Sequence, residues 1–175
     1  MYALTQMYEA TRDFMELGGG VLSVIAWVTM IMWFLIIERV IFFSTDFKKQ
    51  LAGTIQRWND RSERRSWNAY QIREAMISRN TMAAIQFLPM IKTLISLCPL
   101  LGLLGTVTGM IEVFDAMAAS GSSNARLMAA GVSKATIPTM AGMVAALSGV
   151  FSSTWLNRKA EREIELLAET LTTDH

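Results

Sequence analysis

The chain has 175 residues and 19.5 kDa, with 52% hydrophobic and 18% charged residues and a mean hydropathy of +0.32, against ~25% charge in an ordinary soluble domain. A formal net charge of +1 gives no basic field that would recruit a nucleic acid. One Cys excludes an internal disulfide framework, and a single His, at position 175, excludes a His-based metal cluster or catalytic triad.

In chain order, residues 1–17 (MYALTQMYEATRDFMEL) set Leu4, Met7, Tyr8, Phe14 and Leu17 among Glu9, Arg12 and Asp13, which predicts an amphipathic helix lying at the outer interface. No charge occurs between Glu16 and Glu38, and Leu17–Ile37 supplies the ~20 apolar residues that a bilayer-crossing helix needs. A signal peptide would place basic residues before a shorter apolar core; here acidic residues precede a full-length run, so the span is expected to be retained. The first span is placed at 18–43. Charge-free runs at Thr93–Ile111 and Ala135–Asn157 are too long for buried strands and place the second and third spans at 92–114 and 132–157.

Residues 44–91 carry apolar side chains at helical intervals (Leu51, Ile55, Trp58; Tyr70, Ile72, Met76, Ile77) among Arg-rich stretches. Short cytoplasmic helices are expected there, with Trp58 and Trp67 as anchors at the membrane surface. Residues 115–131 form an outer link containing the Ser/Gly-rich AASGSSNAR. In the tail, 158–175, acidic and basic residues alternate with Ile164, Leu167 and Leu171, so the third helix is expected to continue into the cytoplasm and bundle there. The whole chain thus reads as one membrane domain.

Basic residues flanking spans stay on the cytoplasmic side. Thirteen of them fall in Glu38–Lys92 or after Asn157, whereas Arg12, Arg126 and Lys134 fall elsewhere. The N-terminus is therefore expected outside, and the long loop and C-terminus inside. The fold class that results is an all-α integral membrane protein with three transmembrane helices, N-out and C-in, and long cytoplasmic helical extensions.

Membrane helices associate through small residues that let backbones approach. Gly102, Gly105 and Gly109 stripe span two, and Ala141, Ala145, Gly149 and Ser153 recur at every fourth residue on span three, beside Gly142 and Ala146. Span one instead carries Trp27, Met30, Met32, Trp33, Phe34 and Leu35 and is expected to face lipid. Two helices per chain enclose no pore, so a lumen requires a ring of copies. Thr106 and Thr139 are each eight residues from the outer end of their span, roughly 12 Å deep. They can line such a lumen, or each hydroxyl can bond back to a carbonyl one turn earlier. Pro138 beside Thr139 removes a backbone donor. Glu112 and Lys134 stand near the outer boundary, where they can form an ion pair or snorkel separately to headgroups. Pro99 is expected to kink or adapt span two, Cys98 to be inert, and Arg39, beside Glu38, to reach the inner headgroups.

The strings PLLGLLGTVTGMIEVF (99–114), GGGVLSVIAWVTMIMWFLIIERVIFF ending past Glu38-Arg39, and GVSKATIPTMAGMVAALSGV (131–150) resemble the ExbB/TolQ family of proton-channel proteins, distantly related to MotA. The resemblance covers all three spans, and the short length is similar to the smaller ExbB of second TonB systems. It implies an inner-membrane homo-pentamer around the single helices of ExbD-like partners, driven by the proton-motive force and delivering work to a TonB-like protein. A Tol-Pal type motor, a self-sufficient ion channel and a scaffold are the alternatives. By position, Thr106 and Thr139 match the family's pore-facing threonines. Lys134 stands where the family pattern usually has Glu, which reverses that site's charge and argues against a carboxylate relay in this subunit. No cofactor, metal or catalytic residue is expected: the chain has no nucleophile-base pair, phosphate loop or metal-ligand spacing.

Overall fold

The computed structural model describes residues 2–61, 63–64, 66–120 and 125–171, with side chains from Gly19 onward except at 120 and 125–127. The described residues form α1 (Tyr2–Ser44), α2 (Asp46–Asn59), α3 (Trp67–Ile85), α4 (Leu88–Ser120) and α5 (Ala125–Thr170), with no strand among them. Among the described residues three helical stretches are long and apolar enough to cross a membrane. The side chains of 1–17, on which the expected amphipathic face depends, lie outside the described residues, as do residues 121–124 of the link. Helix occupies the rest of 115–131, since α4 runs to Ser120 and α5 starts at Ala125.

Several breaks between helical stretches have a local cause. Gly19 breaks α1 with φ 63° and ψ −161°, a combination that essentially only glycine tolerates. At the start of α3, the Ser66 hydroxyl accepts from the Ala69 N–H at 3.2 Å, filling one orphan donor of the first turn. Between α3 and α4, Gln86 leaves the helical region and Phe87 takes φ 64°, a left-handed conformation that costs a non-glycine residue energy. Pro99 and Pro138 both lie inside continuous helices.

The chain divides into two compact units: unit 1 comprises Met1–Trp33 and Thr93–Val150, and unit 2 comprises Phe34–Lys92 and Phe151–His175. Among the described residues of unit 1 the buried hydrophobic side chains include Leu22, Ile25, Ile95, Cys98, Ala135 and Ala146, while Trp27, Leu100 and Val144 stay more than half exposed. That distribution suits a solvent of lipid tails, which exerts no hydrophobic pressure to bury large side chains. One member of the bulky series on span one departs from its expected lipid-facing role. Met32 is fully buried, its sulfur 2.6 Å from where a Cβ on Gly149 would stand. The missing side chain of Gly149 leaves the space that Met32 fills.

Unit 2 has a conventional apolar core that includes Phe43, Phe47, Trp58, Leu88, Leu156 and Leu167. Phe43 and Phe47 meet edge to face with ring centroids 5.2 Å apart. Trp58 is 1% exposed, which overturns its expected role as an anchor at the membrane surface. It shares one face of α2 with buried Phe47, Leu51 and Thr54, so the same periodicity that predicted the helix carries Trp58 into the core. Trp67 is 74% exposed.

Candidate functional site: a glycine seam, two threonines and a buried arginine

Within unit 1, α4 and α5 approach so closely that glycine is the residue that fits at successive contacts. A Cβ on Gly102 would stand 2.9 Å from the Thr139 Cα, one on Gly109 would stand 2.7 Å from the Ala135 Cβ, and one on Gly142 would stand 2.5 Å from the Cys98 carbonyl oxygen. Gly105 is stopped by the Pro138 ring, and Gly131 by Val113. The opposing atoms are mostly backbone, ring or β-carbons, which cannot swing aside. On α5 the seam lies one residue beyond the expected four-residue series: Gly142 and Ala146 are buried, whereas Ala141 and Ala145 are half-exposed. Gly149 remains in the contact, against Ile95 and Met32.

The two threonines use their hydroxyls differently. Thr106 Oγ1 donates to the Leu103 carbonyl of its own helix at 2.7 Å, the back-bond common for Thr in membrane helices. Thr139 Oγ1 donates across the seam to the Gly102 carbonyl of α4 at 2.8 Å. Gly102 makes that bond possible, because any side chain there would hold Thr139 away. Each hydroxyl spends its proton on a carbonyl and keeps its oxygen lone pairs as acceptors.

Glu112 and Lys134 both line a cavity of ≈ 650 Å³ in unit 1, beside Gly105, Gly109 and Pro138, and both are exposed. Among the described residues no ion pair joins them, so they share a cavity without neutralising each other. Thr108, which sequence reasoning passed over, lines the same cavity and donates to the Leu104 and Gly105 carbonyls at 3.1 Å each.

Arg39 is the largest departure from the sequence expectation. It is 2% exposed and does not reach headgroups. Its Nη1 donates to the Ala83 carbonyl in the last turn of α3 at 3.2 Å, where unpaired carbonyls carry the negative end of the helix dipole. Its guanidinium carbon lies 4.7 Å from the Phe42 ring centroid and 4.8 Å from that of Phe87. Its Nε stands 3.1 Å from Glu38 Oε2, a charge contact without hydrogen-bond alignment. Arg39 therefore clamps the α3–α4 joint at the strained Phe87. Arg73 plays a parallel part that also went unread. Nε and Nη2 donate to the Leu171 and Ala168 carbonyls at 2.6 and 2.8 Å, capping the C-terminal end of α5. The sequence offered a faint signal for Arg39 alone: a lone Arg at the end of an apolar span with Phe42 three residues on. Arg73 has no local signal, because its partners lie 95 and 98 residues away.

Long apolar helices, two of them drawn together by glycine contacts, define a multi-pass membrane protein. The model of the MotA/TolQ/ExbB proton channel family matches residues 41–169, and the chain belongs to that family. It is 46% identical over 61 residues to putative biopolymer transport protein ExbB-like 1 of Synechocystis sp., covering 33% of this chain and 24% of that protein. It is 42% identical over 74 residues to biopolymer transport protein exbB1 of Vibrio cholerae, covering 42% of this chain and 32% of that one. A third relative, ExbB-like 3 of Synechocystis sp., is 34% identical over 82 residues, 43% of this chain and 39% of its own length. The chain thus matches well under half the length of these curated relatives.

Proposed function

We propose that the chain is the ring-forming subunit of a proton-motive-force-driven inner-membrane motor of the ExbB–ExbD type, energising TonB-dependent transport across an outer membrane. The observation that carries this reading is the α4–α5 pair, locked by glycine contacts on backbone and by the Thr139–Gly102 bond. Such a pair forms a stiff wall segment but encloses no lumen; in this reading copies assemble as a homo-pentamer around the single-span helices of an ExbD-like partner. The N-out, C-in orientation puts the cationic segment 44–91 in the cytoplasm.

In this reading the chain guides protons without holding them. Between Lys92 and Glu112, α4 carries no carboxylate, His or Lys. The Thr106 and Thr139 oxygens can accept from water in the lumen but release readily, because a hydroxyl does not trap charge at neutral pH. The proton carrier is then a carboxylate on the partner helix. Lys134, free of Glu112, attracts that carboxylate or sets the potential at the outer mouth, and a TonB-like protein receives the work.

The test is proton flux into liposomes from the purified chain with and without an ExbD-like single-span protein. Flux should appear only with the partner, and Thr106→Val with Thr139→Val should return it to the no-partner background while the assembled mass is unchanged. Equal flux from the chain alone would make it a self-sufficient channel, and full flux from the assembled double variant would remove the threonines from the path.

A further inference from the structure

Unit 2 contains a second hollow, of ≈ 270 Å³, that the motor reading does not use. Lys49, Gly53 and Arg57 lie along one wall and Arg79 and Asn80 along the other, with Thr54 between them. Lys49, Gly53 and Arg57 are spaced by four residues, so they form one stripe of α2. The glycine between the two cations does not serve packing: a Cβ on Gly53 would meet nothing within 4 Å. The contrast with the seam glycines is complete, since those at 102, 105, 109, 131, 142 and 149 each touch a neighbour. A mid-helix glycine costs ~1 kcal/mol relative to alanine, and at position 53 its visible return is an open floor between two cations.

The walls have the chemistry of an anion site. No carboxylate lines the hollow, and among the described residues Lys49, Arg57 and Arg79 form no ion pair. Asn80 is 2% exposed and is pinned by its Nδ2, which donates to the Met76 carbonyl at 2.8 Å and to Thr54 Oγ1 at 3.3 Å. Its Oδ1 is buried with no partner. A buried acceptor left unpaired is costly, so a ligand that brings a donor as well as negative charge, and that the Asn80 amide shifts to meet, relieves that cost. Chloride and sulfate bring no donor. Hydrogen phosphate does, through its P–OH, and so does a phosphodiester carrying a neighbouring hydroxyl.

We propose that the Lys49–Gly53–Arg57 stripe, Arg79 and Asn80 form a binding site for a phosphate group with an adjacent hydroxyl. The source is either a soluble phosphate compound or an anionic phospholipid headgroup, and the two are separable. Thermal midpoints of the detergent-purified complex are titrated with inorganic phosphate and with sulfate at constant ionic strength. Native mass spectrometry, after exposure to phosphatidylglycerol or phosphatidylcholine vesicles, reads retained lipid. Phosphate should bind about tenfold more tightly than sulfate, the fold-change expected when one buried acceptor gains its donor. Arg79→Gln should weaken binding by about tenfold or more, Gly53→Leu should abolish it by filling the floor, and Lys48→Gln, on α2 outside the hollow, should leave it unchanged. Saturable binding of inorganic phosphate identifies a soluble source, and selective retention of phosphatidylglycerol identifies a headgroup, provided that Arg79→Gln diminishes either. The proposal is overturned if neither ligand binds, if sulfate matches phosphate, or if Lys48→Gln weakens binding as much as Arg79→Gln. Should Gly53→Leu fail to fold, the Arg79→Gln and Lys48→Gln pair decides alone. None of these readouts involves proton flux, so the site stands or falls separately from the motor.

Discussion

Within unit 1, α4 and α5 are joined by what their contact residues lack, whereas within unit 2 the helix ends are tied by Arg39 and Arg73, the longest side chains available. The seam of unit 1 gains from close backbone approach, which in lipid supplies the dispersion contacts that hydrophobic pressure supplies in water. Unit 2 gains from filling the last-turn carbonyls of α3 and α5 with guanidinium donors and from an aromatic core. The difference teaches that the first kind of contact is brittle to any added atom and the second to any removed one.

Adding atoms to the seam should have the largest effect. Gly142→Ala sets a methyl 2.5 Å from the Cys98 carbonyl oxygen. Neither backbone can yield without parting the helices, so a loss of ~3 kcal/mol or more is expected, read as a lowered thermal midpoint. Removing atoms from unit 2 comes next. Arg39→Ala deletes the Ala83 bond and both ring contacts and should cost about 2–3 kcal/mol in denaturant titration. Arg39→Lys should recover only part of this, because an ammonium lacks the planar fork that stacks on the rings while donating to a carbonyl.

The threonines sharpen the comparison inside the seam itself. Thr139→Val removes a bond between helices and should cost ~1 kcal/mol, whereas Thr106→Val removes a bond within one helix and should stay within about 0.5 kcal/mol. Equal losses in parallel melts would show that the Gly102 bond contributes nothing to the pairing. The smallest effect has the opposite sign. A Cβ on Gly20 would meet nothing within 4 Å, so Gly20→Ala should stabilise by about 0.5–1 kcal/mol through helix propensity. A destabilising result there would mean that something occupies the space beside α1.

How much was legible follows from the range of each interaction. The three apolar runs and the helical character of 44–91 and of the last stretch were readable because apolar periodicity is local; helix ends were less so, since α4 runs to Ser120 and α5 begins at Ala125, both inside the expected link. Gly102, Gly105 and Gly109 were readable as a stripe, since spacing on one helix fixes a face. Their partners were not: the α5 contacts fall on Gly142 and Ala146 rather than Ala141 and Ala145 because helix rotation is set by what sits opposite. Trp58 and Arg39 were misread for one shared reason. Amphipathic side chains at a membrane boundary have two stable destinations, water interface or protein core, and only the presence of a partner chooses between them.

By itself the sequence determined the three apolar helices, the charge asymmetry along the chain and the family to which residues 41–169 belong. Only the tertiary structure decided that Thr139 ties two helices while Thr106 serves its own, that Glu112 and Lys134 share a cavity unpaired, and that Arg39 is buried. The physical reason is that helix formation and membrane insertion depend on the composition of a single segment. A bond between helices or a buried charge depends on segments far apart in sequence, and between α4 and α5 that approach is set by the absence of side chains at a few glycines.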